Sequence, residues 1–157
     1  MSKAKAALIW IVDILDKCGI PYQVEGGLAA NCYGSTRELV DIDIFIPSFG
    51  FETISKDVAG YVDFGPAFHT GTHWRLVYQI LNYCGQQIEI CDAGKAEYLD
   101  TQNNIWIKRD IDFTKAETIG IFGISTKVIP KDDLLEYKSR TNREVDIIDI
   151  EQIKDNE

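Results

Sequence analysis

Residues 22–46 read Tyr-Gln-Val-Glu-Gly-Gly-Leu-Ala-Ala-Asn-Cys-Tyr-Gly-Ser-Thr-Arg-Glu-Leu-Val-Asp-Ile-Asp-Ile-Phe-Ile. The pattern predicts a short strand over 22–25, a short helix over 27–33 and a strand over 40–46 that stops before Pro47. Side chains alternate across a strand, so Asp41 and Asp43 share one face, about 7 Å apart along the backbone, and Ile42 and Ile44 share the other. Two carboxylates on one face repel each other unless a cation sits between them. A divalent ion such as Mg²⁺ takes oxygen ligands of this kind and is completed by phosphates and water. Gly26 and Gly27 let backbone approach a ligand closely, and the segment after them points N–H groups towards an anion. The chemical content of the stretch is therefore metal plus phosphate.

A second stretch adds to the first. In Gln86-Gln87-Ile88-Glu89-Ile90-Cys91-Asp92, Glu89 lies between two isoleucines, as Asp43 does. An acid inside a strand that reads as buried is costly unless it is paired or bound to metal. Asp41, Asp43 and Glu89 are thus a candidate triad, with Asp92 as the alternative third ligand. Two metal ions held about 3.5–4 Å apart by such acids could clamp a nucleoside triphosphate and assist an acceptor hydroxyl. A lone Asp-x-Asp also fits an exposed strand face, or the metal site of a sugar-nucleotide enzyme.

The whole chain bounds these readings. With 157 residues it is long enough for one domain with a sizeable core, and an apolar content of 45% and a charged content of 26% are ordinary for a globular protein. A net charge of −9 argues against a surface that coats long nucleic acid. Cys18, Cys32, Cys84 and Cys91 form no Cys-x-x-Cys pair and read as reduced, buried thiols, and His69 and His73 lack zinc spacing. The start of the chain reads as an amphipathic helix over 2–18 and not as a signal peptide. No apolar run is long enough to span a membrane, so cytoplasm is the default expectation.

Further elements follow from periodicity. A helix is expected over 51–58, and strands over 61–64, 74–81 and 86–90, the last two joined by a turn at 82–85. Residues 93–104 read as loop. Short strands are expected around Trp106 and between 114 and 124. A helix opens at Lys131-Asp132-Asp133 and runs through Lys138, the polar stretch 139–143 follows, and a last helix carries Val145, Ile147, Ile148, Ile150 and Ile153.

Gly26-Gly27, Ser35-Thr36-Arg37-Glu38 and Asp41-Ile42-Asp43 together resemble the signature of the polymerase-β-like nucleotidyltransferase superfamily. They look most like the lincosamide and aminoglycoside nucleotidyltransferases, and are similar to the minimal nucleotidyltransferases of toxin–antitoxin and abortive-infection systems. Leu134-Leu135-Glu136-Tyr137-Lys138, Arg140 and the run 143–150 resemble the helix pair closing those domains. The resemblance implies an α+β (α/β) fold, a single domain over 1–157 in which a mixed β-sheet is flanked by helices, the C-terminal pair among them. It implies a nucleotidyltransferase, with Asp41, Asp43 and Glu89 as catalytic metal ligands for Mg²⁺ or Mn²⁺. Gly26, Gly27 and Ser35 would hold phosphates, with Arg37 and Lys138 as contacts to the triphosphate.

The implied partners are a nucleoside triphosphate and an acceptor hydroxyl on a small molecule, a tRNA end or a protein, with the acceptor half incomplete or shared with a second copy or another protein. A catalytically inactive nucleotide-binding or interaction module of the same fold is the alternative. The chain departs from the pattern in having Gly-Gly where many relatives have Gly-Ser, and Glu where Asp is the commoner third acid. Other residues keep their bland readings: Arg37 as a loop charge paired with Glu38, Ser35 and Thr36 as a turn, Arg143 as a structural partner of Asp146 or Asp149, and His69, His73 and Trp74 as strand-end packing beside a possible role in an acceptor pocket.

Overall fold

The computed structural model describes residues 1–157. Helix α1 (Lys3–Lys17) is capped by the Ser2 hydroxyl, which accepts from the Lys5 N–H at 3.2 Å, and it ends before Gly19 at a φ of +66°. Then come β1 (Gln23–Glu25), α2 (Gly26–Cys32), β2 (Asp41–Ile46) and α3 (Gly50–Val58). Strands β3 (Val62–Thr70), β4 (Trp74–Tyr83), β5 (Gln86–Asp100) and β6 (Ile105–Lys108) form a meander. The hairpin β7 (Glu117–Ile121) and β8 (Ile124–Val128) follows, then α4 (Lys131–Thr141) and α5 (Glu144–Asp155).

The strands make one mixed sheet in the order β3-β4-β5-β2-β1-β8-β7, with β6 paired to the far half of β5. Strand β2 runs parallel to β5 and antiparallel to β1, and β1 runs parallel to β8. This register decides the site. Asp43 lies opposite Glu89 on one side and Glu25 on the other, and Asp41 lies opposite Gln87. One face of these strands presents Ile42, Ile44, Ile88 and Ile90, all fully buried with Ala7, Leu8, Ile11 and Leu15 of α1 in a single core. The period-2 pattern thus places isoleucines against α1 and acids on the opposite face, which α4 and α5 wall. Burial of those isoleucines and leucines is worth roughly 1.5–3 kcal/mol each, which offsets the cost of gathering acids behind them.

Two expectations are corrected. Residues 93–100 are not loop: β5 continues through them to Asp100, pairing with β6 on one side and with the start of β4 on the other, and 101–104 form the turn into β6. The small and polar Ala93-Gly94-Lys95 interruption is a register shift in β5, and beyond it Ala96, Tyr98 and Asp100 are buried alternately. The strand expected over 61–64 extends to Thr70 as β3, an edge strand whose Gly65-Pro66 break and exposed side chains hide it from pattern reading. The last helical pair is present, but α4 runs on to Thr141 and is stopped by Asn142 at a φ of +47°.

No helix is long and apolar enough to cross a membrane.

A carboxylate cluster in a two-sided cavity

The acid face opens into a cavity of about 360 Å³. Asp41, Asp43 and Glu89 line it, and each offers an oxygen within 4.8 Å of the others. The sequence-predicted triad is thus brought together by the β2–β5 register. Asp92 is kept away from it: its Oδ1 accepts from the Ser48 hydroxyl at 2.5 Å and from the Gly94 N–H at 2.8 Å.

Burial is the first cause of the electrostatics here. It raises Asp43 well above the usual carboxylate range, and the neighbouring charges of Asp41 and Glu89 raise it further. Asp41 and Glu89 are raised by burial too, with Arg37 and Arg143 partly holding Asp41 down. Three acids held like this fit a divalent cation, which would cancel the repulsion and supply the missing solvation. Gly26 is built for the same arrangement. It sits at a φ of +59°, and a Cβ there would overlap the Asp43 carboxylate, so only glycine admits Asp43 to this position. At Gly27 a Cβ would meet the Arg37 Nη2 at 3.2 Å.

A cationic wall faces the acids, and it is tied to α5. Asp149, fully buried, accepts from Arg37 Nε at 3.0 Å, Arg37 Nη2 at 2.9 Å and the Ser35 hydroxyl at 2.7 Å, and pairs with Lys138 Nζ at 3.0 Å. Asp146 accepts from Lys138 at 3.3 Å, Thr141 at 2.6 Å and Arg143 Nε at 2.9 Å. Burial pushes both acids up, and the donors around them outweigh it and hold both below the usual range. Arg37, Lys138 and Arg143 therefore line the cavity with their charged ends already engaged. The partner of Arg37 is Asp149 and not Glu38. Arg143 pairs with Asp146 at the start of its own helix, where the two complete a capping box. Ser35 reaches Asp149 and Gln152, so its hydroxyl braces the loop behind the wall.

The other half of the cavity is apolar. Phe45, Trp74, Leu76 and Tyr78 line it, with the His69 ring tilted against Tyr78 at 5.0 Å between ring centroids. His73 lies in the turn before β4, where its carbonyl accepts from the Leu99 N–H. Sequence reasoning missed Glu25, Arg109 and Tyr137. Glu25 is 1% exposed and is gripped by Arg109 through two bonds of 2.7 and 2.9 Å. Tyr137 accepts from the Gly26 N–H at 3.1 Å. The rule that singled out Glu89, an acid in a buried strand, applies equally to Glu25 beside Val24. Nothing in the sequence around Arg109 marks it.

No protein-family model matches the chain, and no curated protein matches it. Solved structures do. A candidate nucleotidyltransferase from Thermotoga maritima superposes with a TM-score of 0.72 at 18% identity, over 97% of this chain and 92% of the other. The lincosamide antibiotic adenylyltransferase LnuA, bound to lincomycin, gives 0.64 at 15% identity over 100% and 99%. ANT(2")-Ia in complex with adenylyl-2"-tobramycin gives 0.60 at 13% identity over 97% and 88%. Likeness at these identities establishes architecture, and the chain has the nucleotidyltransferase fold that its Gly-Gly and Asp-x-Asp signature resembles.

Proposed function

We propose that this protein is a metal-dependent nucleotidyltransferase that moves a nucleoside monophosphate from a nucleoside triphosphate to an acceptor hydroxyl. The observation that carries the reading is the convergence of Asp41, Asp43 and Glu89 within 4.8 Å beneath a glycine that yields its side-chain space to Asp43. Structural modules that only bind partners have no use for three desolvated, mutually repelling acids.

In this reading Asp41, Asp43 and Glu89 hold Mg²⁺ or Mn²⁺, which when bound neutralises the triphosphate and the leaving pyrophosphate. Gly26 and Gly27 bring bare backbone to the phosphates. Arg37, Lys138 and Arg143 supply positive potential from the opposite wall, fixed in place by Asp146 and Asp149, so no side chain reorganises as charge develops. Arg37, one quarter exposed, is the member able to reach substrate directly, whereas Lys138, 1% exposed, acts through its field. Glu89 lines the cavity with Tyr78 of the apolar half, so an ion it helps to hold would lie beside the acceptor and ease deprotonation of its hydroxyl. The apolar half, with Trp74 and Tyr78, suits the body of the acceptor. The adenylyltransferase name of one similar structure and the adenylyl product bound in another make ATP the first donor to test.

The test is transfer of α-labelled nucleotide. Each labelled triphosphate is incubated with Mg²⁺, cell extract and either the protein or its Asp41→Asn, Asp43→Asn variant. Labelled product that falls at least about a thousandfold in the variant supports the reading. Nucleotide binding with no acid-dependent transfer leaves an inactive module of the same fold and sinks it.

A further inference from the structure

Four carboxylates line the cavity, and the triad accounts for three. The fourth, Glu25, lies directly opposite Asp43 in the β1–β2 register, so the two side chains are near neighbours on one sheet face. A free Glu25 would be drawn to any cation the triad holds. We propose that Arg109 is a positioning residue that withholds Glu25 from the metal, fixing the ligand set at three acids. The proposal rests on the nucleotidyltransferase reading only in assuming that a divalent ion binds the triad.

The geometry supports withholding over simple packing. Both Glu25 oxygens are claimed: Oε1 by Arg109 Nη1 at 2.7 Å, Oε2 by Arg109 Nη2 at 2.9 Å and by Gln23 Nε2 at 2.7 Å. This planar two-point grip is the arrangement a guanidinium makes best with a carboxylate. The arginine itself is held. Its backbone N–H donates to the Ala96 carbonyl at 2.9 Å. Its guanidinium carbon lies 4.9 Å from the Phe45 ring centroid, 5.1 Å from Tyr137 and 5.8 Å from Trp74. Three rings exclude water from the pair and strengthen its attraction. The same contacts put a neutral unit, and not a charge, beside Gly26 and Asp43.

Removing one partner therefore changes the charge beside the triad by one unit, in a direction that depends on which partner is removed. A pair that only fills space leaves the affinity unchanged, and one that acts only through its field shifts it by about tenfold in each direction, so a freed fourth ligand is marked by a gain well beyond tenfold in the arginine variant. Mn²⁺ binding, followed by calorimetry or by its electron spin resonance, reads it without turnover, with Asp43→Asn marking the signal that belongs to the triad. Arg109→Met frees an acid to join the ligand set and tightens Mn²⁺ binding by well over tenfold. Glu25→Gln leaves an uncompensated cation and weakens binding by about tenfold. The factor is that of one unit charge on a divalent ion roughly 7 Å away at water-like dielectric constant. The double variant Glu25→Gln, Arg109→Met returns to within about threefold of the parent.

Unchanged affinity in all three variants, with only thermal stability lowered, or a gain in Arg109→Met no larger than the loss in Glu25→Gln, overturns the proposal. If Arg109→Met does not fold, Glu25→Gln alone decides, and unchanged Mn²⁺ affinity there overturns it too. A parent protein that binds no Mn²⁺ overturns the metal reading itself, which the charge series distinguishes from a failure of Arg109 alone.

Discussion

Replacing Asp43 by Asn removes a charge that the apo protein holds at a cost. Two full charges 4.8 Å apart, the separation that bounds the triad, repel by about 3.5 kcal/mol at an effective dielectric constant of about 20. Asp43 takes part in two such pairs, and burial adds to them. The folded protein relieves part of this by binding protons, so the expected net gain in Asp43→Asn is about 2 kcal/mol in EDTA near pH 8. For a chain of this size that raises Tm by about 4–8 °C. The pH dependence has a definite sign. Asp43, Asp41 and Glu89 are all raised on folding, so the folded state binds more protons than the unfolded one above the ordinary carboxylate range. The destabilisation is absent below that range and grows as pH rises through the raised values. The gap between variant and parent therefore widens with pH. Mg²⁺ reverses the order, since at a hundred times its Kd it adds about 2.7 kcal/mol to the parent alone. Thermal unfolding in EDTA and in Mg²⁺, from pH 5 to 8.5, checks this. A variant that is no more stable than the parent in EDTA at pH 8, or one that gains as much from Mg²⁺, refutes the reasoning.

Gly26→Ala puts a side chain where the Asp43 carboxylate lies and an L-residue at a φ of +59°; it is expected to cost about 1–2 kcal/mol from the backbone alone and to abolish Mg²⁺-dependent stabilisation, both read by thermal unfolding. Lys138→Met strips Asp146 and Asp149 of a shared buried cation. It is expected to cost about 3–5 kcal/mol in urea unfolding, far more than an exposed pair such as Lys17–Asp13 would on Lys17→Met.

The parts of the fold that the sequence announces are those where one chemical rule acts alone. Alternating Asp and Ile in 41–44, and Ile-Glu-Ile in 88–90, state which face is wet and which is buried, and register does the rest. The far half of β5 is illegible because Ala93, Gly94 and Lys95 carry no period and the strand there depends on both β6 and the start of β4 for its pairing. The cationic wall is half legible. Arg37, Lys138 and Arg143 stand out as charges near apolar positions, but their engagement with Asp146 and Asp149 depends on how α5 docks, which no local pattern encodes. Arg109 is illegible for the same reason taken further: its meaning resides entirely in Glu25, 84 residues earlier.

The ties between Asp149 and the loop holding Ser35 and Arg37 span 114 and 112 residues. A ribosome makes the acids of the triad early and their counterweight late. While the chain is still being synthesised, β2 and β5 can pair and gather three acids, yet the opposite wall has nothing to hold it until α5 emerges. A nascent chain paused before Asp146 would thus carry Arg37 and Lys138 without their buried carboxylate partners. The wall is completed in one late step, when the last helix closes over a loop that has waited for it since the first quarter of synthesis.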